Sequence, residues 1–125
     1  MTISEVSKKY GLSANTLRYY EKAGLIPTVH RTESGLRNYT PQDCSWVEFI
    51  KCMRAAGLSI EVLQQYVALS AKGNHTLKQR KFLLIKERAR IEEEIKTMQE
   101  TLNRLDEQLA LFEEKISAEE PPVNA

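Results

Sequence analysis

Two short helices joined by a tight turn are encoded in residues 3–23, ISEVSKKYGLSANTLRYYEKA. Apolar residues recur at helical spacing as far as Tyr10, and Gly11 then favours the end of a first helix. Ser13 is a good N-cap residue, so a second helix is expected over residues 14–23. Such a pair, with a glycine at the bend, is typical of a helix-turn-helix.

The second helix has one apolar face. Ala14, Leu17 and Tyr20 share that face, and we expect it to pack inward. The remaining faces are polar, and they stay available to a binding partner.

A change of periodicity follows between Leu25 and Tyr39. Extended residues flank the turn-forming pair Ser34-Gly35, and this pattern predicts a short β-hairpin. The hairpin would form a wing beside the helix pair. Its basic side chains are His30, Arg31 and Arg37.

Two further helices are predicted downstream. Pro41 suits the first turn of a third helix that extends to about Ala56, and Ser59 caps a fourth. With the helix pair and the wing, these elements would make one domain, residues 1–71. A linker at residues 72–75 follows it.

The strongest periodic pattern lies between residues 76 and 117, which contain neither glycine nor proline. Apolar residues follow the heptad spacing of a coiled coil. Such a helix is on the order of 60 Å long and cannot bury its whole seam on residues 1–71, so a second copy of the chain is the expected partner. The predicted dimerisation residues are Leu84, Ile91, Ile95, Met98, Leu102, Leu105, Leu109 and Phe112.

An intramolecular partner helix is the alternative for this seam, although no other stretch of the sequence has comparable length. Residues 118–125, which include Glu119, Glu120 and two prolines, are predicted to be a disordered acidic tail.

Length and composition limit the class of protein. The 125 residues suffice for one domain and an appendage, and no apolar run approaches the roughly 20 residues of a membrane-spanning helix. We expect a soluble cytoplasmic protein without a membrane partner. Cys44 and Cys52 lie about 12 Å apart on one predicted helix, beyond disulfide reach, so both should be free thiols.

Charge is distributed unevenly along the chain. Residues 1–91 carry 15 basic and 7 acidic side chains, whereas residues 92–125 carry 3 basic and 10 acidic ones. The net charge of +1 conceals this division. The basic N-terminal part suits a polyanionic partner, and the acidic C-terminal part would be repelled by that partner.

Five motifs occur in order within the first 70 residues: Thr2-Ile3-Ser4-Glu5-Val6, Leu17-Arg18-Tyr19-Tyr20-Glu21, Gly24-Leu25-Ile26, Gly35-Leu36-Arg37-Asn38-Tyr39 and Gly57-Leu58-Ser59-Ile60. Together they resemble the MerR family of transcription regulators. The resemblance implies a mainly α fold, a winged helix-turn-helix followed by a long dimerisation helix that forms an antiparallel coiled coil. It also implies a homodimer that binds double-stranded, pseudo-palindromic promoter DNA and activates RNA polymerase indirectly, by distorting that DNA.

The polar side chains of the second helix and the wing are then the predicted DNA contacts. Arginine can bind a phosphate or fork onto guanine, and tyrosine hydroxyls can donate to phosphate oxygens. The predicted DNA-binding residues are Ser13, Asn15, Thr16, Arg18, Tyr19, Tyr20, Lys22, Arg31, Arg37 and Tyr39. A core position is the alternative for Tyr20, which lies on the apolar face, and a solvated hairpin position is the alternative for Arg37.

Cys52 is the candidate sensor residue. Its setting, Phe49-Ile50-Lys51-Cys52-Met53-Arg54, resembles the aldehyde- and electrophile-responsive subgroup of the family (NmlR/AdhR-like), in which a cysteine of the third helix is the proposed sensor. Helical geometry puts Cys52 at the margin of the apolar face and Cys44 on the opposite, polar side. The alternative is an inert core cysteine in a regulator without thiol sensing.

No metal site, cofactor or enzymatic activity is predicted. Residues 72–82 offer only His75 as a metal ligand, and no cysteine follows Cys52. The sequence has no nucleophile elbow, paired histidines or glycine-rich phosphate loop. A coiled-coil adaptor protein without DNA binding is the alternative from a different class, because the heptads alone would support it.

Overall fold

The structure is a computed structural model, and it describes residues 1–119. Its helices in that range are α1 (Ile3–Tyr10), α2 (Ala14–Lys22), α3 (Pro41–Ala55), α4 (Ile60–Lys72), a 3-10 turn (Asn74–Thr76) and α5 (Leu77–Glu119). The chain divides into two compact units, Met1–Glu87 and a second that begins at Arg88. The predicted mainly α fold with a long C-terminal helix is confirmed, and the helix ends lie within two residues of the predicted ones.

Polar caps determine where the first helices begin. The Thr2 hydroxyl accepts a hydrogen bond from the backbone N–H of Glu5 (3.2 Å), and the Glu5 carboxylate accepts one from the N–H of Thr2 (2.8 Å). Thr40 and Asp43 form the same reciprocal capping box at the start of α3. Gly11, at φ 65°, ends α1 in the left-handed conformation that glycine adopts without strain.

An apolar core holds α1 and α2 against α3 and α4. Burying one aliphatic side chain of this kind contributes roughly 1.5 to 3 kcal/mol. The core residues with 3% exposure or less are Val6, Leu17, Leu25, Ile26, Val29, Tyr39, Val47, Ile50, Leu58 and Leu63. Because Leu17 points into this core, the opposite side of α2 faces solvent.

Hydrogen bonds from α3 and α4 fix the ends of the helix-turn-helix. The Lys51 ammonium group donates to the carbonyl of Tyr10, the last residue of α1. The side-chain amide of Gln64 donates to the carbonyl of Ala23 (2.6 Å), just after α2. Both bonds satisfy carbonyls that the helix ends leave unpaired. The first anchors the end of α1, and the second anchors the end of α2 next to the wing.

The wing is a tight loop and not the predicted β-hairpin. Within residues 1–119, β-type backbone pairing is limited to one isolated antiparallel bridge, between Arg31 and Arg37. The pairing does not continue to Val29 and Tyr39, because the backbone N–H of Val29 bonds the Glu21 carboxylate (2.8 Å) and that of Tyr39 bonds the carbonyl of Met1 (2.7 Å). The loop is therefore positioned by α2, by the N-terminal residue and, through the bond from His30 to Asp43, by the start of α3.

The start of α3 buries a face that the helical pattern did not predict. Cys44, expected on the polar side, is only 6% exposed, and its sulfur lies 4.0 Å from that of Met1. Asp43 is also buried, beneath the backbone of His30. The expectation for Cys44 was wrong because residues distant in sequence cover this side of the helix.

The other side of α3 packs on α4 through aromatic rings. The ring of Tyr66 lies 6.0 Å from that of Trp46 and 5.5 Å from that of Phe49, measured between centroids. All three side chains are half-buried. Edge-on and tilted contacts of this kind stabilise a pair of helices beyond the area that they bury.

Thr76 forms the junction between α4 and α5. It is 1% exposed, and its hydroxyl lies 2.8 Å from the carbonyl oxygens of both Leu69 and Gly73. The same oxygen accepts a hydrogen bond from Nε of Arg80 (3.0 Å). Within the predicted linker at residues 72–75, Lys72 is the last residue of α4, and the connection consists of Gly73 and the hydrogen-bonded 3-10 turn Asn74–Thr76.

The second unit consists of the remainder of α5, and its heptad residues are exposed. Met98 is 70% exposed and Leu109 is 61% exposed, values far above those of ordinary apolar core positions. α5 continues to Glu119, so residues 118 and 119 of the predicted tail are helical, and the rest of that prediction lies outside the described residues. No helix in residues 1–119 is long and apolar enough to cross a membrane.

Candidate DNA interface

The solvent-facing side of α2 carries the first group of predicted DNA contacts. The Arg18 guanidinium donates to the side-chain oxygen of Asn15 (3.0 Å), one helical turn earlier. Tyr19 is 48% exposed. The Ser13 hydroxyl caps the helix by accepting the N–H of Thr16 (3.0 Å). α2 thus presents a row of hydrogen-bonding groups to solvent. The helix itself is held in place by its N-cap and by the buried Leu17.

The wing arginines lie beside this row because both meet Glu21 of α2. Nε of Arg37 lies 2.8 Å from Oε1 of Glu21, and a terminal nitrogen of Arg31 lies 3.8 Å from the same oxygen. The other Glu21 oxygen accepts the backbone N–H of Val29. The carboxylate is only 10% exposed, and charge-assisted hydrogen bonds in such a site are shorter and stronger than neutral ones.

Helix and wing together enclose an open depression of about 620 Å³. Its lining residues are Asn15, Arg18, Tyr19, Glu21, Lys22, Arg31 and Arg37. Four of these are basic and one is acidic, so the surface is strongly positive. Such a surface attracts phosphate groups, and its arginine and asparagine side chains have the donors and acceptors that read base edges.

Six of the ten predicted DNA-binding residues therefore meet at one surface. Ser13 and Thr16 lie at the beginning of α2 and share its cap, outside the lining of the depression. The two remaining residues, Tyr20 and Tyr39, are placed differently.

Tyr20 and Tyr39 are core residues in this structure. Tyr20 is 7% exposed and Tyr39 is 1% exposed. Burial raises the pKa of both phenols, and nearby positive charge opposes the shift, from Arg54 at Tyr20 and from Arg37 at Tyr39. The expectation that their hydroxyls reach phosphates does not fit these positions. Tyr20 points inward from the apolar face of α2, and Tyr39 points inward from the end of the wing.

Glu21 is the site residue that sequence reasoning missed. An acidic residue at a DNA-binding surface has no obvious use when the chain is read linearly. Its partner Arg37 is 16 residues away, so the pairing has no helical or strand periodicity. The only signal in the sequence was the presence of one carboxylate within the motif Leu17-Arg18-Tyr19-Tyr20-Glu21.

The two cysteines differ in access to solvent. Cys52 is exposed near the end of α3, whereas Cys44 is buried, and neither is in a disulfide. In the part of the chain that the structure describes, no group of three or more His, Cys, Asp or Glu side chains is arranged to hold a metal ion.

The fold and this surface define a DNA-binding protein of the helix-turn-helix class. The MerR HTH regulatory protein family matches residues 1–69, and a second pattern, described as MerR, DNA binding, matches residues 45–108. The chain belongs to the MerR family of DNA-binding transcription regulators, whose members are regulators and not enzymes.

Individual relatives agree with this assignment. The HTH-type transcriptional regulator AdhR of Bacillus subtilis (strain 168) is 54% identical over 91 residues, which cover 73% of this chain and 65% of that regulator, less than two thirds of its length. A crystal structure of a MerR family transcriptional regulator from Listeria monocytogenes is 48% identical, with a TM-score of 0.88 over 90% of this chain and 86% of that one.

A third relative has been solved with DNA. The structure of HiNmlR, described as a MerR family regulator lacking the sensor domain, bound to promoter DNA, has a TM-score of 0.82 and is 28% identical over 93% of this chain and 92% of that one. These similarities place the chain near the NmlR/AdhR-like subgroup. They also remove the ground for a coiled-coil adaptor without DNA binding, because the matched region includes the whole helix-turn-helix.

Proposed function

We propose that two copies of this chain bind one pseudo-palindromic promoter duplex, each placing α2 in the major groove and its wing against the backbone. The observation that carries this proposal is the convergence of Arg18, Lys22, Arg31 and Arg37 on one depression. Residues 1–71 act as the DNA-binding domain, and the protein works in the cytoplasm. HiNmlR, which is bound to promoter DNA, supports the proposal through its matching fold.

The residues of the depression have different tasks. Arg18, at the centre of α2, reads a base edge or holds a phosphate, and Asn15 sets the position of its guanidinium. Tyr19 and Lys22 bind phosphates from α2, while Arg31 and Arg37 bind them from the wing. Ser13 and Thr16 bring the N-terminus of α2, with its free backbone N–H groups, to the duplex.

The exposed heptad residues of α5 pair with those of a second copy. Residues 76–117 form an antiparallel coiled coil in this proposal, with residues 72–75 as the connection. The support is the exposure of large side chains such as Met98 and Phe112, since an isolated helix with this pattern gains stability by covering its seam. The fixed distance between the two DNA-binding domains lets the dimer distort promoter DNA, so that RNA polymerase responds without direct contact.

Selection from a randomised duplex pool of about 30 base pairs, three helical turns, tests DNA binding without assuming any promoter sequence. The wild-type protein should enrich sequences with two-fold symmetry. Its affinity for the selected duplex should fall steeply with salt, because several phosphates are neutralised. Recovery of no preferred sequence, or an affinity indifferent to salt, would contradict the proposal.

Two variants of Arg18 separate base reading from phosphate binding. Arg18→Ala should weaken binding to the selected duplex by about tenfold, within the range for a lost bidentate contact. Arg18→Lys keeps the charge, so it should retain the salt dependence but lose discrimination at one base pair. Lys78→Ala, which removes a charge outside the depression, is the control and should bind like wild type.

We also propose that Cys52 senses aldehydes. The supporting observation is its exposure, in contrast to the buried Cys44. The thiol adds to the carbonyl group of an aldehyde: a C–S bond forms, the C=O π bond breaks, and the thiol proton moves to the oxygen. The resulting hemithioacetal needs no oxidant. It adds bulk to a residue whose carbonyl accepts the cap N–H of Ala56 (3.1 Å), so we expect it to disturb the turn that joins α3 to α4.

A promoter reporter tests the sensor. Cys52→Ser should abolish induction by formaldehyde or methylglyoxal while leaving affinity for the selected duplex unchanged. Cys44→Ala removes the buried thiol, so it should cost stability but leave induction intact. Full induction of the Cys52→Ser protein would show that the cysteine is not the sensor.

A further inference from the structure

We propose that Glu21 is a positioning residue that lowers the affinity of this protein for DNA in general and raises its selectivity for its own promoter. The inference rests on the proposed DNA-binding function. By its charge alone, a carboxylate at this surface would only weaken DNA binding, because acidic groups repel the phosphate backbone.

Three elements meet at the Glu21 side chain. It projects from α2, accepts the backbone N–H of Val29 at 2.8 Å just before the wing, and contacts both wing arginines. Arg31 is held a second time, by a bond from its guanidinium to the carbonyl of Gly35 (3.0 Å). The base of the wing is also held by Asp43, which accepts the backbone N–H of His30, but Glu21 is the residue of α2 that meets the two wing arginines directly.

The ion pair between Glu21 and Arg37 is largely buried, and this restricts the orientation of both side chains. The Glu21 side chain is 10% exposed and that of Arg37 is 24% exposed, so neither is a freely moving surface group. Arg37 uses its Nε–H on Glu21, and the other N–H groups of the guanidinium remain for a phosphate. A phosphate at the correct place is met by a preoriented donor, which loses little conformational entropy on binding.

The same carboxylate weakens contacts with phosphates at other places. Arginines that are free of Glu21 would follow the backbone of any duplex, and the net positive charge of the depression would rise by one. Neutralisation of Glu21 should therefore raise non-selective binding and lower the advantage of the correct sequence. Specificity of this kind arises from a difference between two affinities.

Glu21→Gln tests whether the negative charge of Glu21 is needed, and Glu21→Asp tests whether the length of its side chain is needed. Affinity is measured for the duplex selected by the wild-type protein and for a shuffled duplex of equal length, across a range of salt concentrations. Glu21→Gln should bind the shuffled duplex about fivefold more tightly, with a salt slope steeper by about one. Its preference for the selected duplex should fall about tenfold, as expected when a charge-assisted hydrogen bond no longer orients the donor.

Glu21→Asp keeps the charge but is one methylene shorter, so it should lose preference without gaining affinity for the shuffled duplex. Glu33→Gln is the matched control: Glu33 is exposed on the same loop and makes no ion pair with Arg31 or Arg37. It removes the same charge, so a purely electrostatic effect would appear in it equally.

The outcomes are distinct. Equal loss of preference in Glu33→Gln and Glu21→Gln, or wild-type preference in both Glu21 variants, overturns the inference while leaving the proposed function intact. Failure of the wild-type protein to select any duplex refutes the proposed function itself. Circular dichroism and a thermal transition within a few degrees of wild type show that each variant is folded.

Discussion

Nδ1 of His30 lies 2.9 Å from Oδ2 of the buried Asp43, which ties the wing loop to the first turn of α3. The same carboxylate oxygen accepts the backbone N–H of Thr40 at 3.0 Å and that of His30 at 3.3 Å. Burial alone would raise the pKa of Asp43, but the hydrogen bonds from Thr40 and His30 outweigh it and lower the pKa below its ordinary value of 3.8.

Asp43→Asn should destabilise the protein at neutral pH by about 1 to 2 kcal/mol, because a buried cap and a charge-assisted bond are weakened. The folded-state pKa is lower than the unfolded one, so the stabilisation is present above pH 3.8 and disappears as the pH falls through the lowered folded-state value. Urea unfolding across this range measures it. The gap between wild type and variant should close in acid, and a constant gap would contradict the assignment.

Tyr39→Phe should leave the stability unchanged or raise it by about 1 kcal/mol. The Tyr39 hydroxyl is buried and has no hydrogen-bond partner among the described residues, so its removal relieves a desolvated polar group. Thermal unfolding measures the effect, and affinity for the selected duplex should stay within about twofold of wild type, too small to represent a lost phosphate contact. A larger loss of affinity would restore Tyr39 as a DNA contact.

Thr76→Val should destabilise the first unit by about 1 to 2 kcal/mol, although the two side chains have nearly the same shape. The substitution removes the bond to the Leu69 or Gly73 carbonyl and leaves Nε of Arg80 without its acceptor. Thr101→Val is the control, since that hydroxyl bonds a carbonyl of its own exposed helix. Equal stability of the two variants in denaturant would show that the junction contributes little.

Leu102→Glu should convert the dimer to a monomer at micromolar concentration, because a carboxylate in the seam of a coiled coil is left without water or a partner. Sedimentation equilibrium measures the assembly state, and the monomer should bind the symmetric duplex much more weakly. Asn103→Glu adds the same charge one residue away, outside the heptad seam, and should remain dimeric. A dimeric Leu102→Glu protein would place the interface elsewhere.

Local sequence determined most of the fold. Thr2, Ser13, Thr40 and Ser59 cap their helices, and Gly11 ends α1, because capping and left-handed turns depend on residues within one helical turn. The heptad of α5 follows from the same short-range periodicity. The resemblance of five motifs to a known family supplied the class of function that the comparisons confirm.

Tertiary structure decided how those helices are used. In the folded chain Tyr39 and Cys44 are buried in the core, and the wing has only one bridge within the described residues. Glu21 contacts Arg37, which is 16 residues away in the sequence. No periodic pattern in the sequence predicts these features, because each depends on which distant segment lies against the residue. Propensity and spacing specify what a residue prefers locally, whereas burial and ion pairing depend on the surroundings that the rest of the chain provides.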